Sequence, residues 1–104
     1  MDKLAALQEI LGMDPGNTFA RYGLAMEHIS QGNPEAALAE FDALILGSPD
    51  YVPAYQISAQ TLVTLGRMDA ALQRLDEGIA VAQRTGNQHA VAEMSALRNE
   101  VASH

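Results

Sequence analysis

One seven-residue stretch recurs in this chain at a fixed distance, and the recurrence narrows the folds that the chain can adopt. Residues 32–38 read GNPEAAL, and 34 positions later residues 66–72 read GRMDAAL. Residues 18–51 laid over residues 52–85 give eight identical positions, and a proline stands three residues ahead of each segment. A period between about 20 and 50 residues is typical of stacked supersecondary units that share one core. The chain is therefore predicted to be an array of similar units.

Each unit is predicted to contain two helices joined by a short turn. Apolar residues recur with the 3.6-residue period of an amphipathic helix, and no strand-like alternation runs for more than a few residues. Gly32 and Gly66 suit the turns, because glycine takes the left-handed backbone conformation that commonly ends a helix. Such short turns make neighbouring helices antiparallel. The predicted helices span residues 2–13, 18–31, 34–47, 51–65, 69–85 and 87–103.

This pattern resembles the tetratricopeptide repeat family. The resemblance is carried by the twice-repeated Gly-x-x-x-Ala-Ala-Leu, by the prolines that close the units, and by alanine at the small-residue positions between paired helices: Ala25 and Ala37, then Ala59 and Ala71. It implies an all-α fold, a right-handed α-solenoid of antiparallel helix-turn-helix repeats. In length and final segment the chain looks like short stand-alone bacterial members. The implied organisation is a single domain, 1–104, with a half repeat (1–17), two repeats (18–51 and 52–85) and a capping helix (86–104).

Three positions differ between the two repeats and depart in one of them from the family pattern. They are the bulky aromatic early in the first helix, the leucine three residues later, and the small residue late in the second helix. We expect local packing to differ between the repeats at these positions. In the order of the two repeats, the pairs are Arg21 and Tyr55, Leu24 and Ser58, and Leu44 and Gly78.

Charge and composition exclude several classes of function. Thirteen acidic and six basic residues give a net charge of −7, and the bases are scattered singly, so we expect neither nucleic-acid binding nor attraction to an anionic membrane. No apolar run approaches the ~20 residues of a membrane span. The chain has no cysteine, which excludes disulfides and leaves the compartment open. Its start shows no basic and apolar secretory signal, so a cytoplasmic location is expected.

The resemblance also implies a site. In the family, partner peptides commonly lie on a concave face formed by the first helix of each repeat. In the first repeat that face offers aromatic and methionine side chains, which are suitable apolar anchors. In the second it offers two glutamine amides that can bond a peptide backbone. The family's lysine and asparagine clamp for acidic chaperone tails is absent, which disfavours such partners. The predicted partner-binding residues are Phe19, Tyr22, Met26, Ile29, Gln56, Gln60, Val63 and Met94.

The sequence predicts a protein–protein interaction module, an adaptor that binds a peptide or helix of a partner protein. Two alternatives stay open: a self-associating module in which the Leu4, Leu7 and Leu11 stripe pairs with a second copy as a homodimer, and a core role for the same apolar residues. We expect no enzyme activity and no cofactor, because no nucleophile elbow or phosphate loop is present. His28, His89 and His104 are too dispersed for a metal site.

Overall fold

Six α-helices form within residues 2–103, the part of the chain that the computed structural model describes, and no strand occurs there. The helices are α1 (Lys3–Met13), α2 (Thr18–Ser30), α3 (Pro34–Gly47), α4 (Val52–Thr64), α5 (Met68–Arg84) and α6 (Gln88–Ala102). All six predicted helices are confirmed, with each end within one residue of the prediction. His104, one of the three histidines considered above, lies outside the described residues.

The chain divides into two compact units, unit 1 (Met1–Ser48) and unit 2 (Pro49–His104). In unit 1, α2 packs against both α1 and α3, and in unit 2, α5 packs against both α4 and α6. The fold is an all-α array of antiparallel helix pairs. The division into a half repeat, two full repeats and a cap stays a prediction.

The turns between paired helices repeat one backbone motif. Gly32, Gly66 and Gly86 have φ values of +75°, +75° and +76°, a left-handed conformation that residues with a Cβ rarely adopt. After α2, the amide of Asn33 donates to the carbonyl of His28 at 2.8 Å and that of Gly32 to Ile29 at 3.0 Å, the two bonds of a Schellman motif. The Asn33 side chain then accepts from the amide of Ala36 and begins α3. The recurring stretch thus encodes a helix end and the next helix start.

Small residues let the paired helices approach closely. Ala25 and Ala37 in unit 1, and Ala59 and Ala71 in unit 2, are all 0% exposed. Around the first pair, Leu24, Leu38, Phe41 and Leu44 complete the core of unit 1. The core of unit 2 includes Tyr55, Leu75, Val81, Met94 and Val101.

Arg21 departs from the family pattern, but it makes the same kind of contact as Tyr55, the residue at the corresponding position of the second repeat. The Arg21 guanidinium donates to the carbonyl of Pro15 at 3.2 Å, and the hydroxyl of Tyr55 donates to the carbonyl of Pro49 at 2.6 Å. Each bond ties the first helix of a repeat to the proline six residues earlier. Arg21 also forms an ion pair with Glu40 at 2.7 Å and so connects α2 to α3. The substitution keeps the contact and adds a second one.

A polar contact also compensates for the second position that departs from the family pattern. Ser58 stands where unit 1 has Leu24, and its buried hydroxyl accepts from Arg74 at 3.0 Å while donating to the carbonyl of Tyr55 at 3.2 Å. A buried hydroxyl without partners costs stability, so the two bonds make serine acceptable in this core. Polar contacts therefore join the helix pair of each unit, through different residues.

An ion pair between α5 and α6 predicts a pH dependence. Arg98 Nε donates to Asp76 Oδ1 at 2.5 Å, and this hydrogen bond holds the pKa of Asp76 below its ordinary value of 3.8. A carboxyl with a lowered pKa in the folded state stabilises the fold above the ordinary value, and the contribution disappears as pH falls through the lowered pKa. We expect Arg98→Gln to raise the titration midpoint of Asp76. As pH falls from 3.8 to the lower midpoint of the wild type, we expect the free energy of unfolding to decrease less in the variant than in the wild type. NMR titration of the carboxyl carbon, with urea unfolding at both pH limits, measures both.

The matched control for this prediction is Arg84→Gln. Arg84 is exposed and pairs with Asp50 at 2.7 Å, so its loss is expected to leave the Asp76 midpoint unchanged. Equal Asp76 midpoints in the wild type and in Arg98→Gln would contradict the prediction.

Candidate functional site

One face of α2 carries apolar side chains that the core of unit 1 leaves partly or largely uncovered. Phe19 is 83% exposed and Met26 is 36% exposed, while Tyr22 and Ile29 are half-buried. These four residues, here called the α2 face, follow the i, i+3, i+7, i+10 spacing of one side of a helix. The opposite side of α2 is buried at Ala20, Leu24 and Ala25. The structure therefore brings together the four residues predicted for the first repeat.

The start of α2 is fixed from several directions, which holds Phe19 in place. The side chain of Asn17 caps the helix by accepting from the amide of Ala20 at 2.8 Å. The hydroxyls of Thr18 and Ser48 lie 2.8 Å apart and link this end of α2 to the end of α3. Phe19 thus projects from a helix end whose backbone is already ordered. Binding of a partner would therefore cost little conformational entropy in this backbone.

Tyr22 joins the α2 face to the core beneath it. Its ring lies 6.2 Å from that of Phe41, centroid to centroid, at an interplanar angle of 62°. This is an edge-to-face arrangement, which is favourable between aromatic rings. Substitution of Tyr22 would disturb the core together with the surface, so Phe19 and Met26 are the better probes of the face.

The first helix of unit 2 presents the predicted polar side chains. Gln60 is exposed, and Gln56 and Val63 are half-buried; these three residues are here called the α4 face. The spacing of four residues between the two glutamines places their amides on one side of the helix, where each offers a donor and an acceptor. The other side of α4 is buried at Tyr55, Ser58, Ala59 and Leu62.

Met94 is not available to a partner, which corrects the inclusion of this residue in the predicted site. It is 0% exposed. Its Sδ lies only 2.7 Å from the point where a Cβ on Gly78 would stand, so the methionine fills the space that this glycine leaves. α6 contacts both α5 and α4, and Met94 is the side chain it inserts. The sequence signal for this arrangement is Gly78, which stands where unit 1 has the larger Leu44.

Several polar groups of the described chain are engaged by neighbouring residues. Burial, followed by the charge of Glu77, raises the pKa of Tyr55, so its hydroxyl stays protonated as the donor to Pro49. His89 lies 3.1 Å from Glu93 on the exposed side of α6. Within residues 2–103 no three His, Asp or Glu side chains converge on a point that could hold a metal ion. None of the helices described is both long and apolar enough to cross a bilayer.

A small pocket beside the start of α2 was not anticipated from the sequence. It is a depression within unit 1 that is partly open to solvent. The one charged group in its wall is Arg21, which is already engaged by Glu40 and by the carbonyl of Pro15. This pocket therefore offers no unused charge with which to hold a ligand. Its lining residues are Pro15, Gly16, Asn17, Thr18, Arg21, Ala43, Leu44, Gly47 and Ser48.

Comparison with known proteins gives consistent matches over most of the chain. A family model described as tetratricopeptide repeat matches residues 4–57 and 28–94. A TPR repeat-containing protein of Pseudomonas aeruginosa is 23% identical over 92 residues, which are 88% of each chain.

Two solved structures resemble the fold closely. The solution structure of a tetratricopeptide repeat domain protein from Salinibacter ruber has a TM-score of 0.80 and 35% identity, covering 85% of this chain and 89% of that one. The crystal structure of PcrH in complex with the chaperone binding region of PopD has a TM-score of 0.89 and 20% identity, covering 96% of this chain and 76% of that one. At 20% identity the second likeness establishes the fold alone.

Proposed function

This chain belongs to the tetratricopeptide repeat family, and from that premise we propose that it is a non-enzymatic protein-interaction module that works in the cytoplasm. It binds a peptide or a helix of a partner protein on the face formed by the first helix of a repeat. In this family that is the concave face. Unit 1 offers the α2 face for this purpose, and unit 2 offers the α4 face.

The observation that carries the proposal is the exposure of Phe19. A phenylalanine that is 83% exposed adds little to the core of its own unit. Transfer of such a ring from water into an apolar contact is worth roughly 1.5–3 kcal/mol, and aromatic anchors of this kind often dominate the energy of an interface. Met26, seven residues later on the same side of α2, extends the contact with a flexible side chain that adapts to different partners. The α2 face is therefore a suitable anchor site.

A solved neighbour with a bound segment supports this proposal. PcrH was crystallised with the chaperone binding region of PopD, so a chain of this fold does accommodate a segment of another protein. For the present chain, the choice of face comes from the family pattern of binding on the first helix, together with the exposure of Phe19 and Met26.

A second candidate function is self-association through α1. No residue of α1 is buried, and Ile10 and Met13 are 39% and 77% exposed. The predicted stripe of Leu4, Leu7 and Leu11 is half-buried, and the methyl groups of Leu7 face Gly23 of α2. In this alternative a second copy covers the residual apolar surface of α1. Light scattering at high protein concentration tests it, and a monomer would exclude it.

Photo-crosslinking tests the proposed binding face. We expect p-benzoylphenylalanine in place of Phe19 to crosslink a partner in a native lysate, and we expect Phe19→Ser/Met26→Ser to weaken capture of that partner at least about tenfold, since two apolar anchors are lost. Mass spectrometry of the crosslinked peptide then identifies the bound segment.

Leu46 provides the matched control, because it is 87% exposed and lies on α3, not on the first helix of the repeat. The photoreactive residue at position 46 is expected to give no such crosslink, and Leu46→Ser is expected to retain the partner. Retention of every partner by a folded Phe19→Ser/Met26→Ser variant would exclude the α2 face as the binding site.

A further inference from the structure

The charge of the chain is unevenly divided, and the larger share lies in unit 1, the unit that carries the α2 face. Unit 1 contains seven acidic and two basic residues, a formal charge of −5, whereas unit 2 contains six acidic and four basic residues, a formal charge of −2. The most exposed apolar residue of any first helix, Phe19, therefore lies in the more acidic unit.

Both basic residues of unit 1 are engaged by carboxylates of the same unit. Lys3 lies 3.8 Å from Glu27, and Arg21 lies 2.7 Å from Glu40. A bound segment in this unit consequently meets a surface on which positive charge is already neutralised. The remaining field is negative.

Several of the carboxylates are close enough to act on a segment bound at the α2 face. α1 packs directly against α2 through Leu7, so the axes of the two helices lie roughly 10 Å apart. This is comparable to the screening length of about 8–10 Å at physiological ionic strength. Asp14 lies just ahead of α2, where its carbonyl accepts from the amide of Asn17, the residue that caps the helix. Asp2, Glu9 and Asp14 are all exposed.

We infer that the segment bound by the α2 face is both apolar and positively charged, with lysine or arginine beside the side chains that contact Phe19 and Met26. This inference rests on the proposed function and adds the chemistry of the partner. Apolar contact supplies most of the affinity, and the negative field increases the association rate and selects against acidic segments.

A second copy of this chain is a poor occupant of the same face. It would bring another unit of charge −5 against the first, and like charges facing each other across an interface cost affinity. The charge therefore favours a basic segment of a different protein.

Two synthetic peptides test the inference by isothermal titration calorimetry with the full chain. Both are capped amphipathic helices with the same leucine and phenylalanine stripe, and their remaining positions carry lysine in one and glutamate in the other. We expect the lysine peptide to bind and to weaken about tenfold between 50 and 300 mM NaCl, and we expect the glutamate peptide to bind at least about tenfold more weakly at 50 mM.

Two double variants separate binding at the α2 face from general attraction to an acidic protein. Phe19→Ser/Met26→Ser is expected to weaken the lysine peptide at least about tenfold at both salt concentrations. Glu9→Gln/Asp14→Asn is expected to weaken it severalfold at 50 mM, to leave binding at 300 mM nearly unchanged, and so to reduce the salt dependence. Circular dichroism confirms that each variant is folded.

Three results would overturn the inference: equal affinity for both peptides, no binding of either, or lysine-peptide affinity that does not change in Phe19→Ser/Met26→Ser. Failure of the proposed function looks different, since no partner would then crosslink at position 19. A natural segment that crosslinks there and is acidic would overturn the charge inference while leaving the proposed function in place.

Discussion

Replacement of Phe41 by alanine is expected to lower the free energy of unfolding by about 3–5 kcal/mol, the range found for phenylalanine removed from a protein core. Phe41 is 0% exposed, and its ring supports the edge-to-face contact with Tyr22. The loss combines the transfer free energy of the ring with the cost of the cavity left between α2 and α3. Because small domains are stable by only about 5–15 kcal/mol, this is a large share of the total.

Phe19→Ala is the matched control for Phe41→Ala. The substitution is the same, but Phe19 is 83% exposed, so a change within about 0.5 kcal/mol is expected. Urea unfolding followed by circular dichroism measures both variants. A loss below about 1 kcal/mol for Phe41→Ala would show that the helices close over the cavity and that unit 1 is less rigidly packed than the structure indicates.

The helices could be predicted from the sequence because their ends are encoded locally. Gly32 and Gly66 supply the positive φ that ends one helix, and Asn17 and Asn33 supply the side-chain acceptor that begins the next. These signals depend on a few adjacent residues and need no knowledge of tertiary contacts.

The candidate site was only partly predictable for the same reason. Helical spacing placed Phe19, Tyr22, Met26 and Ile29 on one side of α2, but spacing does not determine how far each is exposed. Tyr22 is half-buried because Phe41, nineteen residues later, lies beneath it. Met94 follows the same first-helix pattern and is buried, because α6 packs on α5 at a glycine. The periodicity of apolar residues within one helix does not predict such contacts with residues that are distant in sequence.

Gly78→Ala is expected to destabilise the protein by about 1–3 kcal/mol, the usual cost of overpacking a core. Helix propensity alone favours alanine by about 1 kcal/mol, so the sign depends on space. A Cβ at position 78 would lie 2.7 Å from both Met94 Sδ and Tyr55 Cβ. The methionine can change rotamer, but Tyr55 Cβ is attached to the backbone of α4, and its ring is held by the hydroxyl bond to Pro49. The added methyl group must therefore separate α4 from α5.

Gly23→Ala is the control that shows whether steric crowding or helix propensity determines the stability change of Gly78→Ala. Gly23 also lies inside a helix, but a Cβ there would meet only the methyl groups of Leu7, at 3.4 and 3.6 Å, which is ordinary van der Waals contact. Propensity should then prevail and stabilise the protein by about 0.5–1 kcal/mol. One substitution is thus expected to have opposite signs at two helical glycines, as measured by urea unfolding. Stabilisation by Gly78→Ala equal to that by Gly23→Ala would mean that α4 shifts freely, and the close approach of Gly78 to Tyr55 would then not be needed to hold unit 2 together.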